Sequence, residues 1–254
     1  RSQQQDDMIT ALLQAEVDGD RLSEDEVLAM VFILFVAGHI TTVNLIANGI
    51  YALLMNPAQM DALRANPDLI ENAVEEVLRF YGPAETSTLR FAAQDFEVEG
   101  QAIERGSPLL FLLASANHDP ARFVDPDAFN ISRADANRHI AFGKGIHACL
   151  GAPLARLEGQ IAIASLVQRY PDLALGVPVD DITWERSFLR SLFGLQPLGF
   201  GLFGRDAIRF GQGLGMAGSM NGTLGSGNAS RKAVICSANA RNTGTRSGED
   251  CMPR

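Results

Sequence analysis

Residues 141–151 read AFGKGIHACLG and place three glycines around a single cysteine, Cys149. Glycine permits positive φ angles and lets the backbone approach another group closely, so this segment is suited to close contact. Its amide groups and the start of the following helix favour a negative group, which a Cys149 thiolate would supply. An isolated free cysteine is most often a buried structural residue, but glycines at this spacing favour a functional thiolate.

Two other chemistries find little support in the sequence. No CxxC pair occurs, and the remaining cysteines, Cys236 and Cys251, lie in the C-terminal region, which disfavours a zinc site. No GxSxG motif occurs either, which disfavours a serine hydrolase.

Length and composition predict a soluble globular protein. The chain has 254 residues, of which 46% are hydrophobic and 20% charged, enough for one or two domains. Its net charge of −9 disfavours nucleic acid as a partner. Three cysteines do not make an extracellular disulfide framework, and the most apolar run, residues 27–40, is too short to span a membrane. We therefore expect no membrane contact and a cytoplasmic location.

The composition changes sharply near residue 199. Residues 199–254 contain 12 of the 24 glycines and carry a net charge of +4, so residues 1–198 carry −13 and the sum is −9. The C-terminal region shows neither helical nor strand periodicity. We expect residues 1–198 to form the folded domain and residues 199–254 to be a Gly-rich, disordered tail.

Helix signals dominate the first part of the domain. Ser23 and Glu26 form a capping box before apolar residues that run to Leu54. Asn56 and Pro57 end this long helix, a short helix runs to about Arg64, and Asn66 caps a third that runs from Pro67 to about Tyr81.

Short alternating segments follow the third helix and predict a small sheet. The predicted strands are residues 88–91, 96–99, 102–104 and 109–113, with turns at Gly100 and Gly106. Residues 117–137 lack a clear period and predict an irregular, ordered connection. A last helix follows Gly151 and runs to about Tyr170. The fold class is therefore mainly α with a small β region.

The cysteine segment resembles the haem-loop signature of the cytochromes P450, FGxGxHxCxG, at every fixed position. The matching residues are Phe142, Gly143, Gly145, His147, Cys149 and Gly151. The resemblance implies a cytochrome P450 fold that is incomplete at the N-terminus, with only the C-terminal portion of the family present. It also implies haem b as cofactor, with Cys149 as the axial thiolate ligand of the iron. Phe142, Gly143, His147 and Gly151 would contact the cofactor.

Two further segments agree with this family in content and order. Glu76 and Arg79 share one face of the third helix and look like the P450 ExxR pair, with Arg133 as third partner in a structural network. Without the family resemblance, an ExxR pair is most often an exposed ion pair that contributes little to stability. Within AGHITT, Ala37, Gly38 and Thr41 resemble the oxygen-binding groove of the long helix. Taken alone, this segment fits equally a helix-packing notch in which the threonine bonds back to a carbonyl.

The resemblance further assigns Arg90 and His139 to the haem propionates. Substrate contacts would come from around Ala37, from residues 83–86, and from Phe193 and Leu195. Nothing in residues 83–86 is charged except Glu85, so the pocket should be mostly apolar. The chain departs from the family at Ile40, where an acidic residue usually precedes the threonine, and an isoleucine cannot relay a proton.

The leading interpretation is a soluble bacterial haem-thiolate monooxygenase. Such an enzyme inserts one oxygen atom from O₂ into a small apolar organic substrate. Its electrons come from NAD(P)H through a ferredoxin reductase and a ferredoxin. Two alternatives stay open: a truncated, non-catalytic remnant with weak or no haem binding, and a haem protein that uses peroxide or catalyses a rearrangement. If the N-terminal part is missing, much of the long helix's apolar surface should be exposed.

Overall fold

The computed structural model describes residues 6–17, 19–176, 178–184, 189–193, 197–198 and 234–236. The helices are α1 (Met8–Gln14), α2 (Glu24–Met55), α3 (Pro57–Ala65), α4 (Ile70–Tyr81), α5 (Leu113–Asn117) and α6 (Ala152–Arg169). The strands are β1 (Glu16–Val17), β2 (Asp20–Arg21), β3 (Arg90–Phe91), β4 (Phe96–Val98), β5 (Gln101–Ile103), β6 (Pro108–Phe111), β7 (Ala174–Leu175), β8 (Thr183–Trp184), β9 (Leu192–Phe193), β10 (Pro197–Leu198) and β11 (Val234–Cys236). Helices therefore carry most of the ordered structure, as the sequence predicts.

The long helix α2 begins and ends where its sequence signals predict. The Ser23 hydroxyl accepts from the Glu26 amide at 3.3 Å, and the Glu26 carboxylate accepts from the Ser23 amide at 2.8 Å. This reciprocal pair satisfies two amide groups that the first turn leaves without helical partners. At the other end, the Asn56 side chain donates to the Ala52 carbonyl at 2.8 Å, and α3 starts at Pro57.

The third predicted helix has a different first turn from the one expected. Pro67–Leu69 forms a single 3-10 turn, with the Asn66 side chain accepting from the Asp68 amide at 3.3 Å. The α-helix proper starts at Ile70 and ends at Tyr81. The predicted end is therefore right, whereas the predicted start is early, because a 3-10 turn has the same capping residue and proline signals. The sequence gives no prediction of α1, which Asp7 caps by accepting from the Thr10 amide.

The core lies where α2, α4 and α6 pack together. Its largest buried apolar side chains include Leu45, Leu53, Leu78, Ile131 and Ile163. Gly49 makes the α2–α6 contact possible, because a Cβ added there would lie 2.6 Å from the Ile163 Cδ1 atom. Residues 118–135, largely without regular elements, still contribute buried side chains such as Phe123 and Phe129. This agrees with the predicted irregular but ordered connection.

The β structure is divided among several small pairings. The β4–β5 hairpin turns at Glu99 and Gly100, both with positive φ, as the Gly100 signal predicts. Strand β6 pairs with β3 on one side and with β11 on the other. The last predicted strand was too long, because Leu113 belongs to α5. Of residues 199–254, only β11 is described, and the rest of the predicted disordered tail lies outside the described residues.

The segment 28–40 of α2 is apolar and exposed on nearly every side of the helix, with only residues 31 and 34 partly buried. Its exposed side chains are Leu28, Met30, Phe32, Ile33, Phe35, Val36 and Ile40. By length and composition α2 could also cross a membrane. However, Asn44 to Leu53 are largely buried in the core, and the exposed stretch 28–40 spans only about 20 Å at 1.5 Å per residue. That is short of the roughly 30 Å of a bilayer core.

Candidate functional site

The cysteine loop, residues 141–151, is closed by backbone hydrogen bonds. The Cys149 amide donates to the Phe142 carbonyl at 2.9 Å, and the Ala148 amide donates to the Gly145 carbonyl at 3.0 Å. Gly143 and Gly145 have φ angles of +70° and +83°, which L side chains rarely adopt. The glycines therefore allow the tight path that returns the chain to Phe142 and presents Cys149 at the surface.

The Cys149 thiol is free and exposed rather than buried. A Cβ added to Gly151 would lie 3.9 Å from the Cys149 sulfur, so the backbone passes close beside the thiol. Neighbouring apolar side chains are also exposed, with Ile146 at 97% and Leu150 at 88%. A buried structural cysteine is therefore excluded. An exposed thiol with apolar surroundings suits a flat, apolar group bound through sulfur.

The Glu76 network, formed by Glu76, Arg79 and Arg133, is buried and fully connected. Arg79 Nε lies 2.7 Å from Glu76 Oε2 and Arg79 Nη2 lies 2.9 Å from Oε1, a bidentate pair. Arg133 Nε donates to Glu76 Oε1 at 3.2 Å, and the Asn130 amide donates to the same oxygen at 2.9 Å. Glu76 is 0% and Arg79 is 1% exposed. The structure thus brings together the three residues that the sequence predicts as a network.

Asn117 connects this network to the cysteine loop. Its carbonyl accepts from Arg79 Nη1 at 2.9 Å, and its side-chain oxygen accepts from the Ile140 amide at 2.8 Å. Ile140 in turn accepts from the Gly143 amide at 2.9 Å. Asn117 was not among the predicted site residues. The sequence shows only that Asn117 ends a short run of mostly small residues. An asparagine at such a position is common and does not indicate a functional site.

Thr41 donates its hydroxyl to the Ala37 carbonyl at 2.6 Å, within the uninterrupted helix α2. This is the back-bonded arrangement that the sequence allows for a helix threonine. A Cβ added to Gly38 would meet no atom within 4 Å, so open space lies beside the helix there. Ile40 is 40% exposed on the same helix. Ala37, Gly38 and Thr41 therefore lie on an accessible stretch of α2.

The two residues predicted to bind propionates, Arg90 and His139, and the predicted cofactor contact His147 differ in their surroundings. The Arg90 guanidinium lies on β3 and contacts Thr88 Oγ1 and the Leu89 carbonyl. His147 is exposed in the loop's 3-10 turn, Gly145–His147. His139, however, has a side chain only 1% exposed, and both of its ring nitrogens already have partners, Glu75 and the Ala141 amide. In this structure neither ring nitrogen of His139 is therefore free to bond a haem propionate, as the predicted role requires.

The predicted substrate segment 83–86 is joined by an ion pair to Arg190, which was not among the predicted site residues. Arg190 donates through Nε to Glu85 at 2.8 Å, and its amide donates to the Pro83 carbonyl at 2.7 Å. The guanidinium also lies over the Tyr81 and Trp184 rings, at 5.3 and 5.5 Å from their centroids. The one charge in residues 83–86 is thus neutralised. The side chain of Phe193 and all of Leu195 lie outside the described residues.

Residues 1–183 match the family model for cytochrome P450. The chain belongs to the cytochrome P450 family. Among curated proteins, this P450 chain is 50% identical over 185 residues to the monooxygenase PikC of Streptomyces venezuelae, covering 72% of this chain and 44% of PikC. It is 44% identical over 190 residues to 6-deoxyerythronolide B hydroxylase of Saccharopolyspora erythraea, covering 74% of this chain and 46% of that enzyme.

Solved P450 structures resemble the fold as well. The Bacillus subtilis polyketide-synthase P450 PksS has a TM-score of 0.72 and 47% identity, covering 75% of this chain and 49% of PksS. The ligand-free monooxygenase TamI has a TM-score of 0.71 and 44% identity, covering 76% of this chain and 47% of TamI. This P450 chain therefore spans about half the length of the relatives that it matches.

Membership of this family implies haem iron, and the residues present fit that group. The exposed Cys149 thiol offers one sulfur ligand. Within the described residues, no group of three or more His, Cys, Asp or Glu side chains could hold a bare metal ion. A porphyrin supplies four ligands of its own, so one protein thiolate suffices.

Proposed function

We propose that this chain supplies the cysteine-bearing, C-terminal half of a haem-thiolate monooxygenase, with Cys149 as the axial iron ligand. The observation that carries the proposal is the Cys149 loop itself. Its thiol is exposed beside apolar side chains, while its amide is fixed on the Phe142 carbonyl. The match of Phe142, Gly143, His147 and Gly151 to the family's haem-loop signature supports the same assignment.

Each part of the site would contribute a different function. A bound haem would supply oxygen activation and electron transfer. Cys149 would donate sulfur electron density, and the Glu76 network would hold the loop through Asn117 and Ile140. Thr41 would hold a proton at its hydroxyl oxygen, which now donates to Ala37. The apolar segment 28–40 of α2 would exclude water from that side once a further surface covers it.

Three observations support the proposal of an apolar substrate and of external electron donors. The Arg190–Glu85 pair neutralises the only charge in residues 83–86, which leaves the predicted substrate segment without net charge. Structures of relatives hold tirandamycin C, testosterone or myristic acid, all with large apolar parts. No electron-transfer cofactor other than haem is implied by the family match, so we propose a ferredoxin and its reductase as donors of electrons from NAD(P)H. A reducing cytoplasm would keep Cys149 as a free thiol.

The alternative function is a non-catalytic remnant that binds haem weakly or not at all. It is favoured by the exposed apolar segment 28–40 of α2, which includes Phe32 and Phe35 at 62% and 60% exposure. In that case the chain lacks the surface that would enclose a cofactor from the other side.

One titration separates these two functions. The full 254-residue chain is mixed with haemin, reduced and exposed to carbon monoxide. The proposal predicts uptake of haem and the long-wavelength Soret band of thiolate ligation. Cys149→Ala should abolish that band, whereas the double variant Cys236→Ala, Cys251→Ala should keep it. Retention of the band in Cys149→Ala would refute the proposal, and absence of haem uptake by the unaltered chain would support the remnant.

A further inference from the structure

A second polar cluster borders the cysteine loop and has no part in the function proposed above. It consists of Glu75, His139 and Arg156, here called the Glu75 cluster. Glu75 Oε2 accepts from His139 Nε2 at 3.1 Å and from Arg156 Nη2 at 3.1 Å, and Oε1 accepts from Arg156 Nε at 2.5 Å. Glu75 adjoins Glu76 in α4, but neighbouring helix residues point in different directions, so the two carboxylates serve separate clusters.

The Glu75 cluster holds both ends of the cysteine loop. His139 lies just before the loop, and Arg156 lies in the first turns of α6, just after it. Because a backbone amide can only donate, His139 Nδ1 accepts from the Ala141 amide at 3.1 Å, and Nε2 carries the proton that is shared with Glu75. One carboxylate on α4 therefore fixes the entry and the exit of the loop at once.

Phe142 transmits this constraint to Cys149. The Arg156 guanidinium lies over the Phe142 ring, 4.7 Å from its centroid, and the His139 ring centroid lies 5.9 Å away. The Phe142 carbonyl in turn accepts from the Cys149 amide at 2.9 Å. Phe142 is thus held between two members of the Glu75 cluster while it holds the backbone of the cysteine.

Burial and charge strengthen the hydrogen bonds by which the Glu75 cluster holds the cysteine loop. The Glu75 side chain is 13% exposed and that of His139 is 1% exposed. Burial acts to raise the pKa of Glu75, but the hydrogen bonds from His139 and Arg156, together with the positive charge of Arg156, outweigh it and lower the pKa to about 2. The carboxylate is therefore ionised at neutral pH, and its bonds are charge-assisted.

We propose that Glu75 is a positioning residue for Cys149, which fixes the loop geometry that presents the sulfur to haem iron. This inference rests on the proposed function, because it assigns Cys149 to the iron. His139 then belongs to the positioning cluster rather than to the propionates. The side-chain partners of Glu75 are His139 and Arg156, and it acts on Cys149 through them and through Phe142.

The test compares Glu75→Gln with Glu71→Gln in the full chain. Glu71 lies in the same helix, is exposed and belongs to neither cluster. Amide hydrogen exchange is measured first without haem. In Glu75→Gln we expect exchange of the Gly143 and Cys149 amides to rise by about tenfold, the effect of losing a charge-assisted bond. Amides of the α2 core, such as Leu53, should be unchanged, as should all amides in Glu71→Gln.

The second measurement uses the chain loaded with haemin, reduced and exposed to carbon monoxide. Glu75→Gln should shift part of the Soret absorption from the thiolate band to the shorter-wavelength band of a lost or protonated sulfur ligand. Arg156→Lys, which keeps the charge but loses the guanidinium stacked on Phe142, should show a smaller shift. A merely structural role would change stability without changing the ratio of the two bands.

The possible outcomes separate this inference from the proposed function. A thiolate band in the unaltered chain with an unchanged band ratio in Glu75→Gln would overturn the inference and leave the proposed function standing. Absence of the band in the unaltered chain would count against the proposed function, while the exchange data would still decide whether Glu75 orders the loop. Equal increases in exchange at the loop and at Leu53 would show global destabilisation and overturn the inference.

Discussion

Removing the Arg79 guanidinium should destabilise the domain more than any exposed substitution. Arg79 is 1% exposed and donates to both oxygens of Glu76 and to the carbonyls of Asn117, Pro126 and Ala128. Arg79→Met fills a similar volume but leaves Glu76 charged with only Arg133 and the Asn130 amide as partners. Breaking a buried ion pair by removing one partner costs about 3–5 kcal/mol.

The lysine variant tests the geometry rather than the charge. Arg79→Lys keeps the positive charge, but an ammonium donates at most three bonds from one point, whereas the guanidinium makes five in two directions. Each buried carbonyl left without a donor costs about 1–3 kcal/mol. We therefore expect Arg79→Lys to lose about 3 kcal/mol, close to the lower end of the methionine range.

Urea unfolding of the full chain, followed by helix circular dichroism, measures these losses. Arg122→Met serves as the matched control, because Arg122 is exposed, and a surface change of this kind is expected within about 0.5 kcal/mol. If Arg79→Lys unfolds at the same urea concentration as the unaltered chain, the bidentate geometry contributes nothing and the argument for a geometric network is wrong.

Three further changes test other parts of the structure. Gly49→Ala should cost about 1–3 kcal/mol in urea unfolding, because the new Cβ would lie 2.6 Å from Ile163 Cδ1; Ile163→Val, which removes that atom, should recover much of the loss. The stability advantage of the unaltered chain over Glu75→Gln should be complete above about pH 4.5 and shrink as pH falls towards 2, because the folded pKa of Glu75 is lowered from 4.5 to about 2. In a catalytically competent assembly with a ferredoxin and its reductase, Ile40→Glu should raise the product formed per NAD(P)H consumed, because a carboxylate can relay protons near Thr41.

Each of these expectations has a result that contradicts it. Equal losses for Gly49→Ala with and without Ile163→Val would show that the methyl contact is not the cause. A difference between the unaltered chain and Glu75→Gln that stays constant from pH 5 to about pH 2 would show that Glu75 is not an ionised partner in the folded state. If Ile40→Glu still forms product but leaves the product formed per NAD(P)H unchanged, the absence of an acidic residue at position 40 does not limit proton delivery.

Local signals in the sequence were sufficient for the main helices. The Ser23 and Glu26 cap and the Asn56–Pro57 stop define α2, because capping and proline chemistry act within a few residues. The same local reasoning placed the third helix one turn early, since a 3-10 turn uses the same signals. The short strands were located only approximately, because pairings of two or three residues depend on neighbours distant in the chain.

The site residues also fall into two groups, those that the sequence predicted and those that it missed. The Glu76 network was predicted from an ExxR pair and a later arginine, and the structure joins the three residues as expected. Asn117 and Glu75 were missed, because an asparagine and a glutamate carry no distinctive spacing of their own. Their importance comes from partners 23 and 81 residues away.

The amino-acid sequence alone determined the glycine–cysteine loop, the capped helices and the family, since each depends on residue types at short fixed spacings. Only the tertiary structure decided that His139 is bound to Glu75, that Arg190 neutralises Glu85, and that Asn117 joins the Glu76 network to the cysteine loop. The reason is physical: burial and hydrogen-bond partnership are properties of surfaces brought together by folding, and no local pattern encodes which surfaces meet.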